Sequence, residues 1–412
     1  MQKNIIYTAF LAVIISLPYL IWLFGPKDSG KIAGIDIEFI LFGLVLVTVS
    51  LFHRKILYTA LTGLGSVTLY KVLIQDFPMV QHLGEEKMIL INLFGLLLGF
   101  ALLARHFEES RIPQLIPQLL PSGWKGPFVM LAVVFVLSSF LDNIAAALIG
   151  GTMALVVFEG KVHPGFIAAI VAASNAGGSG SVVGDTTTTM MWIEGVPATR
   201  VLTAYIAAVP AFLFFGYFAS RQQDRLQGIR KAQSGKTGID FRKLFLVLLI
   251  LSGAIISNVL LRLPALGVWA ALLAGAFFTR TSWNVLPAAL KSTLFLLSLV
   301  LTASMMPVER LPSASPASAF FLGLVSSVFD NIPLTKLALA QNHYDWGMLA
   351  FTVGFGGSMI WFGSSAGVAI STTYPEARSV GRWIRSGWHV LLAYLIGFLF
   401  LYLVAGWKPL DY

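Results

Sequence analysis

Apolar runs long enough to cross a lipid bilayer recur along almost the whole chain, at 5–24, 35–52, 56–74, 88–104, 201–220, 244–261, 266–279, 286–306 and 388–406. A spanning helix needs about 20 mostly apolar residues, so each run predicts a transmembrane helix. Two further stretches, 164–193 and 346–373, are long enough to cross but are interrupted by glycines and polar residues. Two more, 126–158 and 316–341, are apolar arms broken in the middle by Asp142-Asn143 and Asp330-Asn331. Each pair of arms has too many residues for one crossing and too few for two, which predicts a re-entrant hairpin with a non-helical tip. Such a tip is tolerated at membrane depth only where protein or a wet cavity covers it. The expected fold class is an all-α polytopic membrane protein.

Composition agrees. Hydrophobic residues make up 57% of the 412 and charged residues 11%, against about 25% charged in a soluble domain. There is no cysteine, which removes disulfides, thiolate metal sites and thiol redox chemistry. The net charge of +9 raises a nucleic-acid partner, and the placement of the charges answers it. With a cytoplasmic N-terminus, Lys3 and the loops at 53–55, 105–125, 159–163, 221–243, 280–284 and 374–387 hold 18 of the 28 Lys and Arg, the opposite loops 7. A positive-inside bias explains the charge without any nucleic acid, and it puts the C-terminus outside. The first apolar run is not followed by a small-residue cleavage site, so it reads as a span that stays. With no targeting sequence in view, the expected address is a bacterial inner (plasma) membrane, and the first partner is the bilayer itself.

The chain also repeats. Ser138-Ser139-Phe140-Leu141-Asp142-Asn143-Ile144 is echoed 188 residues on by Ser326-Ser327-Val328-Phe329-Asp330-Asn331-Ile332, and Gly177-Gly178-Ser179 is echoed 179 residues on by Gly356-Gly357-Ser358. The predicted organisation is an extra N-terminal helix (1–34), a first repeat (35–220), a basic cytoplasmic linker (221–243) and a second repeat (244–412). Each repeat has five crossings, an odd number, so the second copy is inverted. Inverted repeats with broken helices at matching positions mark secondary transporters, whose substrate binds near the midplane.

Three of the 19 acidic residues, Asp142, Asp185 and Asp330, fall within the predicted membrane depth, where a carboxylate costs at least about 2.5–3.5 kcal/mol. Capping half-helices would explain Asp at these positions, but Asn or Ser would cap nearly as well without a charge. The run from Ser174 to Thr189, with Gly-Gly-Ser-Gly and Gly184-Asp185-Thr186-Thr187-Thr188-Thr189, gathers backbone carbonyls, hydroxyls and a carboxylate, a donor set for a small hard cation. The second copy has Ser364-Ser365 opposite Asp185-Thr186, and it carries Lys336, which is expected either to pair with Asp330 or to snorkel outward. No P-loop, Gly-x-Ser-x-Gly or metal-protease spacing occurs, so the chain reads as a transporter without cofactor rather than an enzyme.

Together, Ser-Ser-x-x-Asp-Asn-Ile in both halves, Ala173-Ser174-Asn175-Ala176-Gly177-Gly178 and Val183-Gly184-Asp185-Thr186-Thr187-Thr188-Thr189 resemble the NhaD-type sodium/proton antiporters. These belong to the ion transporter superfamily, which also holds citrate, dicarboxylate and arsenite carriers. The resemblance covers roughly 35–406 and implies two re-entrant hairpins, a scaffold with a moving transport unit, and a homodimer. It implies ion or proton roles for Asp142, Asn143, Asn175, Asp185, Thr187, Thr188, Asp330, Asn331, Ser358 and Ser364.

The expected activity is exchange of Na⁺ or Li⁺ for H⁺, with Asp142, Asn175 and Asp185 as cation-site candidates. Asp142 and Asp185 would bind the cation when ionised and carry protons when neutral, because a bound cation favours the charged form and desolvation the neutral form. Two rivals compete. One is a carrier of a citrate-like carboxylate or arsenite-type oxyanion, using the half-helix N-termini at Asn143 and Asn331 with Lys336. The other is a channel or non-transporting scaffold.

Overall fold

In the computed structural model the described residues are 2–24, 31–32, 34–52, 55–230 and 238–412. Residues 53 and 54, and Lys231 and Lys236 of the basic linker, lie outside them. Every predicted apolar run becomes a helix. The first half begins with α1 (Gln2–Phe24), a two-residue antiparallel pairing of Lys31–Ile32 with Ile35–Asp36, α2 (Ile37–Leu51), α3 (Ile56–Ile74) and α4 (Met79–Glu109). It continues with α5 (Ile112–Leu119), α6 (Lys125–Ser138), α7 (Asn143–Val157), α8 (Pro164–Ser179), α9 (Thr186–Glu194), α10 (Ala198–Leu202) and α11 (Tyr205–Leu226). The second half comprises α12 (Phe241–Leu261), α13 (Pro264–Gly275), α14 (Leu286–Ser304), α15 (Pro316–Ser326), α16 (Asn331–Gln341), α17 (Trp346–Gly356), α18 (Ser365–Thr373), α19 (Val380–Ser386) and α20 (Trp388–Ala405). Among the described residues, six helical segments are long and apolar enough to cross a membrane. The protein is an all-α, multi-pass membrane protein.

Some boundaries move. The run at 88–104 is the middle of a 31-residue helix: Gln81, Leu83, Glu85, Glu86 and Lys87 are good helix formers, and they carry the helix through His82 and Gly84. The first residues of the basic stretch at 221–243 prolong α11 to Leu226. Helix α5 lies within the predicted loop at 105–125. Its start is set by Arg111 in the left-handed region (φ 66°) followed by a proline, which suits the first turn of a helix.

Two helices organise the interior. From Gly165 to Ser179 every residue of α8 is buried, and so is all of α17. A helix apolar or small on all sides belongs inside a bundle, and small residues let neighbouring backbones approach. Gly177 shows why. A Cβ there would strike the carbonyl oxygen of Phe135 on α6. The second half does the same: a Cβ on Gly356 would strike the Gly323 carbonyl on α15. The hydroxyls match too, Ser138 Oγ donating to the Ser174 carbonyl at 2.5 Å and Ser326 Oγ to the Val353 carbonyl at 2.7 Å. Each of these second-half contacts sits at the sequence offsets of the repeat.

Four helices are cut. Between α6 and α7 the chain leaves the helix at Ser139 and re-enters at Asn143; between α15 and α16 it does so from Ser327 to Asn331. Between α8 and α9 the interruption is Gly180 to Asp185, and between α17 and α18 it is Gly357 to Ser364. The re-entering residues Asp142, Asp185, Asp330 and Ser364 are the N-caps of α7, α9, α16 and α18.

Candidate ion-binding site

The N-terminal ends of these half-helices bring their caps and first turns together with α8 and α17. Each N-terminus carries unpaired N–H groups and the positive end of a helix dipole, a favourable place for a carboxylate. Asp185 is only 3% exposed. Its Oδ1 accepts from Asn143 Nδ2 at 3.1 Å, and its Oδ2 accepts from Thr187 Oγ1 at 2.8 Å and Asn331 Nδ2 at 3.4 Å. The Asn143 amide also donates to Asn175 Oδ1 at 3.0 Å, and Asn175 Nδ2 donates to Ser358 Oγ at 2.9 Å. Ser358 is held in turn by Trp383, whose Nε1 donates to its carbonyl at 3.1 Å. One buried network thus links α7, α8, α9, α16 and the turn after α17. Gly354 faces it: a Cβ there would meet Asp185 Oδ2 at 3.5 Å.

Six of the residues expected in the site are therefore in one network: Asn143, Asn175, Asp185, Thr187, Asn331 and Ser358. Their free lone pairs are carboxylate, amide and hydroxyl oxygens, the donor set suited to a hard monovalent cation. Among the described residues no group of three or more His, Cys, Asp or Glu gathers to hold a metal ion, so oxygen donors of mixed type are what this place offers.

The other candidates stand apart from that network. Asp142 makes no side-chain capping bond and lines a cavity of about 310 Å³ together with Asp185 and Thr186. Asp330 caps α16, accepting from Ile332 N at 3.1 Å and from Ser365 Oγ at 2.9 Å. Thr188 donates to the backbone carbonyls of Ser181 and Asp185, at 2.5 and 2.9 Å, and braces the turn. Ser364 accepts from Gly367 N at 3.2 Å as the cap of α18. Lys336 is neither on Asp330 nor free at a surface. Its ammonium, 4% exposed, lies 2.9 Å from Glu86 Oε2 and 2.5 Å from Glu194 Oε1. Six residues along a helix carry a side chain about 9 Å from the cap and roughly 240° around the axis, which turns Lys336 away from Asp330.

Sequence reasoning missed Ser365, Trp383, Glu86 and Glu194. Ser365 stands in the repeat opposite Thr186 and was open to that comparison. The two glutamates, Glu86 two turns into α4 and Glu194 at the end of α9, are far away in sequence, and only the unmatched charge of Lys336 pointed to such partners.

The cavity beside Asp142 and Asp185 runs along α4 past Phe100 to Arg105 and Glu108. Arg105, Glu108 and Leu148 also line a second cavity of about 840 Å³ between α4, α5 and α7. Sharing these lining residues, the two cavities lie side by side between the carboxylates and the end of α4 that carries Glu109.

A sequence model of the citrate-transporter (CitMHS) family matches residues 4–356. Sodium/proton antiporter 1 of Arabidopsis thaliana is 28% identical over 279 residues, 58% of this chain and 48% of the relative. The Na⁺/H⁺ antiporter NhaD of Alkalimonas amylolytica is 28% identical over 296 residues, 57% of this chain and 60% of the relative. Sodium/proton antiporter 2 of Arabidopsis thaliana is 26% identical over 292 residues, 59% of this chain and 69% of the relative. The chain thus aligns with about half to three-fifths of the length of the first two curated relatives. The resemblance to NhaD-type antiporters read from the sequence motifs is met by these relatives. The chain belongs to the citrate-transporter (CitMHS) family, and the curated relatives it is similar to are named as sodium/proton antiporters.

Proposed function

We propose that the protein exchanges Na⁺ or Li⁺ for H⁺ across its membrane by alternating access. The observation that carries the reading is Asp185: a carboxylate 3% exposed, held by the Thr187 hydroxyl and the Asn143 and Asn331 amide N–H groups, on the wall of a cavity. Burying a charge without a strong partner is costly, so a carboxylate kept there is matched by something that comes and goes. Cation and proton each neutralise it, and each excludes the other. That exclusion is the coupling. Asp185 holds the cation with Asn175, Ser358 and Thr187, while Asn143 and Asn331 orient the carboxylate. Asp142, on the cavity wall, is the second proton and cation station. Asp330, Thr188 and Ser364 set the half-helix ends in place.

The matching contacts at Gly177 and Gly356, and at Ser138 and Ser326, support an inverted repeat of 35–220 and 244–412, joined by 221–243 and preceded by one extra helix. In it α6–α7 and α15–α16 are re-entrant hairpins entering from opposite sides, and α8–α9 and α17–α18 are the broken crossings. The positive-inside bias supports a cytoplasmic N-terminus and an outer C-terminus. A homodimer is what the motif resemblance implies, and a bacterial inner membrane remains the address expected from the sequence.

A second reading, a cation- or proton-coupled carrier of a citrate-like carboxylate, is favoured by the description of the matching family. Three carboxylates around the site disfavour an anion unless a cation accompanies it. Proteoliposomes with a preset pH gradient and a trapped pH dye separate the two. Exchange predicts that Na⁺ or Li⁺, and not K⁺ or citrate, dissipates the gradient. Dissipation by citrate alone overturns the reading.

A further inference from the structure

Among the described residues, the cavities beside Asp142 and Asp185 extend toward the end of α4 that carries Arg105 and Glu108. Glu86 lies 19 residues before Arg105 on the same helix, about 28 Å along its axis, which is close to the hydrocarbon thickness. At that far end stands the Lys336 triad. Its three members come from three helices: Glu86 from α4, Glu194 from the last residue of α9, and Lys336 from α16. Side-chain exposures of 14% for Glu86, 13% for Glu194 and 4% for Lys336 make it a nearly buried cluster of three formal charges.

Helices α9 and α16 also hold the ion-site network, by their other ends. Thr187 is in the first turn of α9, after its cap Asp185, and Asn331 opens α16. The two half-helices therefore carry site residues at their N-termini and two members of the triad further along. Helix α4 supplies the third member and none of the site network; it lines the cavity beside Asp142 instead. The repeat sharpens the contrast. Lys336 follows Asp330 by six positions, and the residue six positions after Asp142 is Leu148. Leu148 lines both cavities.

The geometry points to an electrostatic latch: Lys336, bridging Glu86 and Glu194, closes the second entrance to the ion site, and it separates from Glu86 when that entrance opens. The latch rests on the alternating-access reading. While it is closed, α4 is tied to the two half-helices at one end, and access is from the end carrying Arg105 and Glu108. Opening the opposite end moves α9 and α16 relative to α4, which cannot happen with Lys336 still on Glu86. Methionine at Lys336 would leave two buried carboxylates facing each other and favour the open arrangement; arginine would keep the bridge.

The cysteine-free chain suits the test. Glu86→Cys with Lys336→Cys, joined by a short bis-methanethiosulfonate, should lose Na⁺-driven proton flux in proteoliposomes and regain it on reduction. Flux unchanged with the cross-link verified by peptide mass spectrometry overturns the latch. A second experiment needs no transported ion. Thr335, fully buried beside Lys336, is replaced by Cys and labelled with a membrane-impermeant maleimide. Lys336→Met should label roughly tenfold faster than the native background, within the usual range for coupled conformational equilibria, and Lys336→Arg should label at the native rate. Equal rates in all three overturn the latch. Failure of cation-driven flux in the native protein would count against the exchange reading instead, and the labelling comparison would still decide the latch.

Discussion

Asparagine at Asp185 keeps the side chain's size and removes its charge. The native oxygens accept from Asn143 at 3.1 Å, Thr187 at 2.8 Å and Asn331 at 3.4 Å. In Asp185→Asn the remaining oxygen stays on Asn143, and the Thr187 hydroxyl turns to accept from the new amide. The Asn331 amide then faces another N–H. Its bond was the longest, so the loss lies near the low end of the about 1–3 kcal/mol for an unsatisfied buried donor. Against this, the variant no longer buries a charge, a cost of several kcal/mol in itself. The apparent melting temperature without Na⁺ should therefore equal or exceed the native one. Cation binding moves the other way. A unit charge about 4 Å from a monovalent cation contributes about 4 kcal/mol at an effective dielectric constant of about 20, so Na⁺ affinity should fall roughly a thousandfold. The assay is thermal unfolding of purified protein over a Na⁺ titration, with choline holding the ionic strength. A native protein at a hundred times its Kd gains about 2.7 kcal/mol, and the variant should gain nothing over the same range. Equal stabilisation of the two by Na⁺ would refute the assignment of Asp185 to the site.

Two other outcomes follow from the packing. Gly177→Ala and Gly356→Ala each push a methyl into a backbone carbonyl of the neighbouring helix, so each should lose about 1–3 kcal/mol or more, read as a lower melting temperature in detergent; native-like melting of both would contradict the close approach. Leu148→Trp puts a large side chain on the wall the two cavities share. It should slow exchange in proteoliposomes while Na⁺ still stabilises the protein; an unaltered rate would mean that ions do not pass there.

What was legible in the sequence was what local pattern encodes. Twenty-residue apolar runs fix helices, and Gly184-Asp185-Thr186 in an otherwise apolar stretch marks a helix that stops and restarts. The Asp-Asn pairs marked the helix breaks before α7 and α16 for the same reason. The all-buried α8 could be foreseen from its Ala, Gly and Ser content. Contacts between distant segments were not legible. Lys336 finds Glu86 and Glu194 at separations of 250 and 142 residues, and no local spacing encodes that meeting. Asp330 illustrates the reverse: the residue pattern treats it like Asp142, yet Ser365 and the α16 backbone take up its oxygens, while Asp142 lines the open cavity. Helix α5 escaped notice because a short amphipathic turn inside a polar loop carries too little apolar length to be read as a span.

The central claim is that cation and proton compete for one buried carboxylate site. The most direct measurement is proton release on cation binding: purified protein in weakly buffered detergent solution with a pH-indicator dye, titrated with NaCl against choline chloride. The account predicts a saturable acidification that tracks Na⁺ binding and is absent in Asp185→Asn. Saturable Na⁺ binding with no proton released would contradict it.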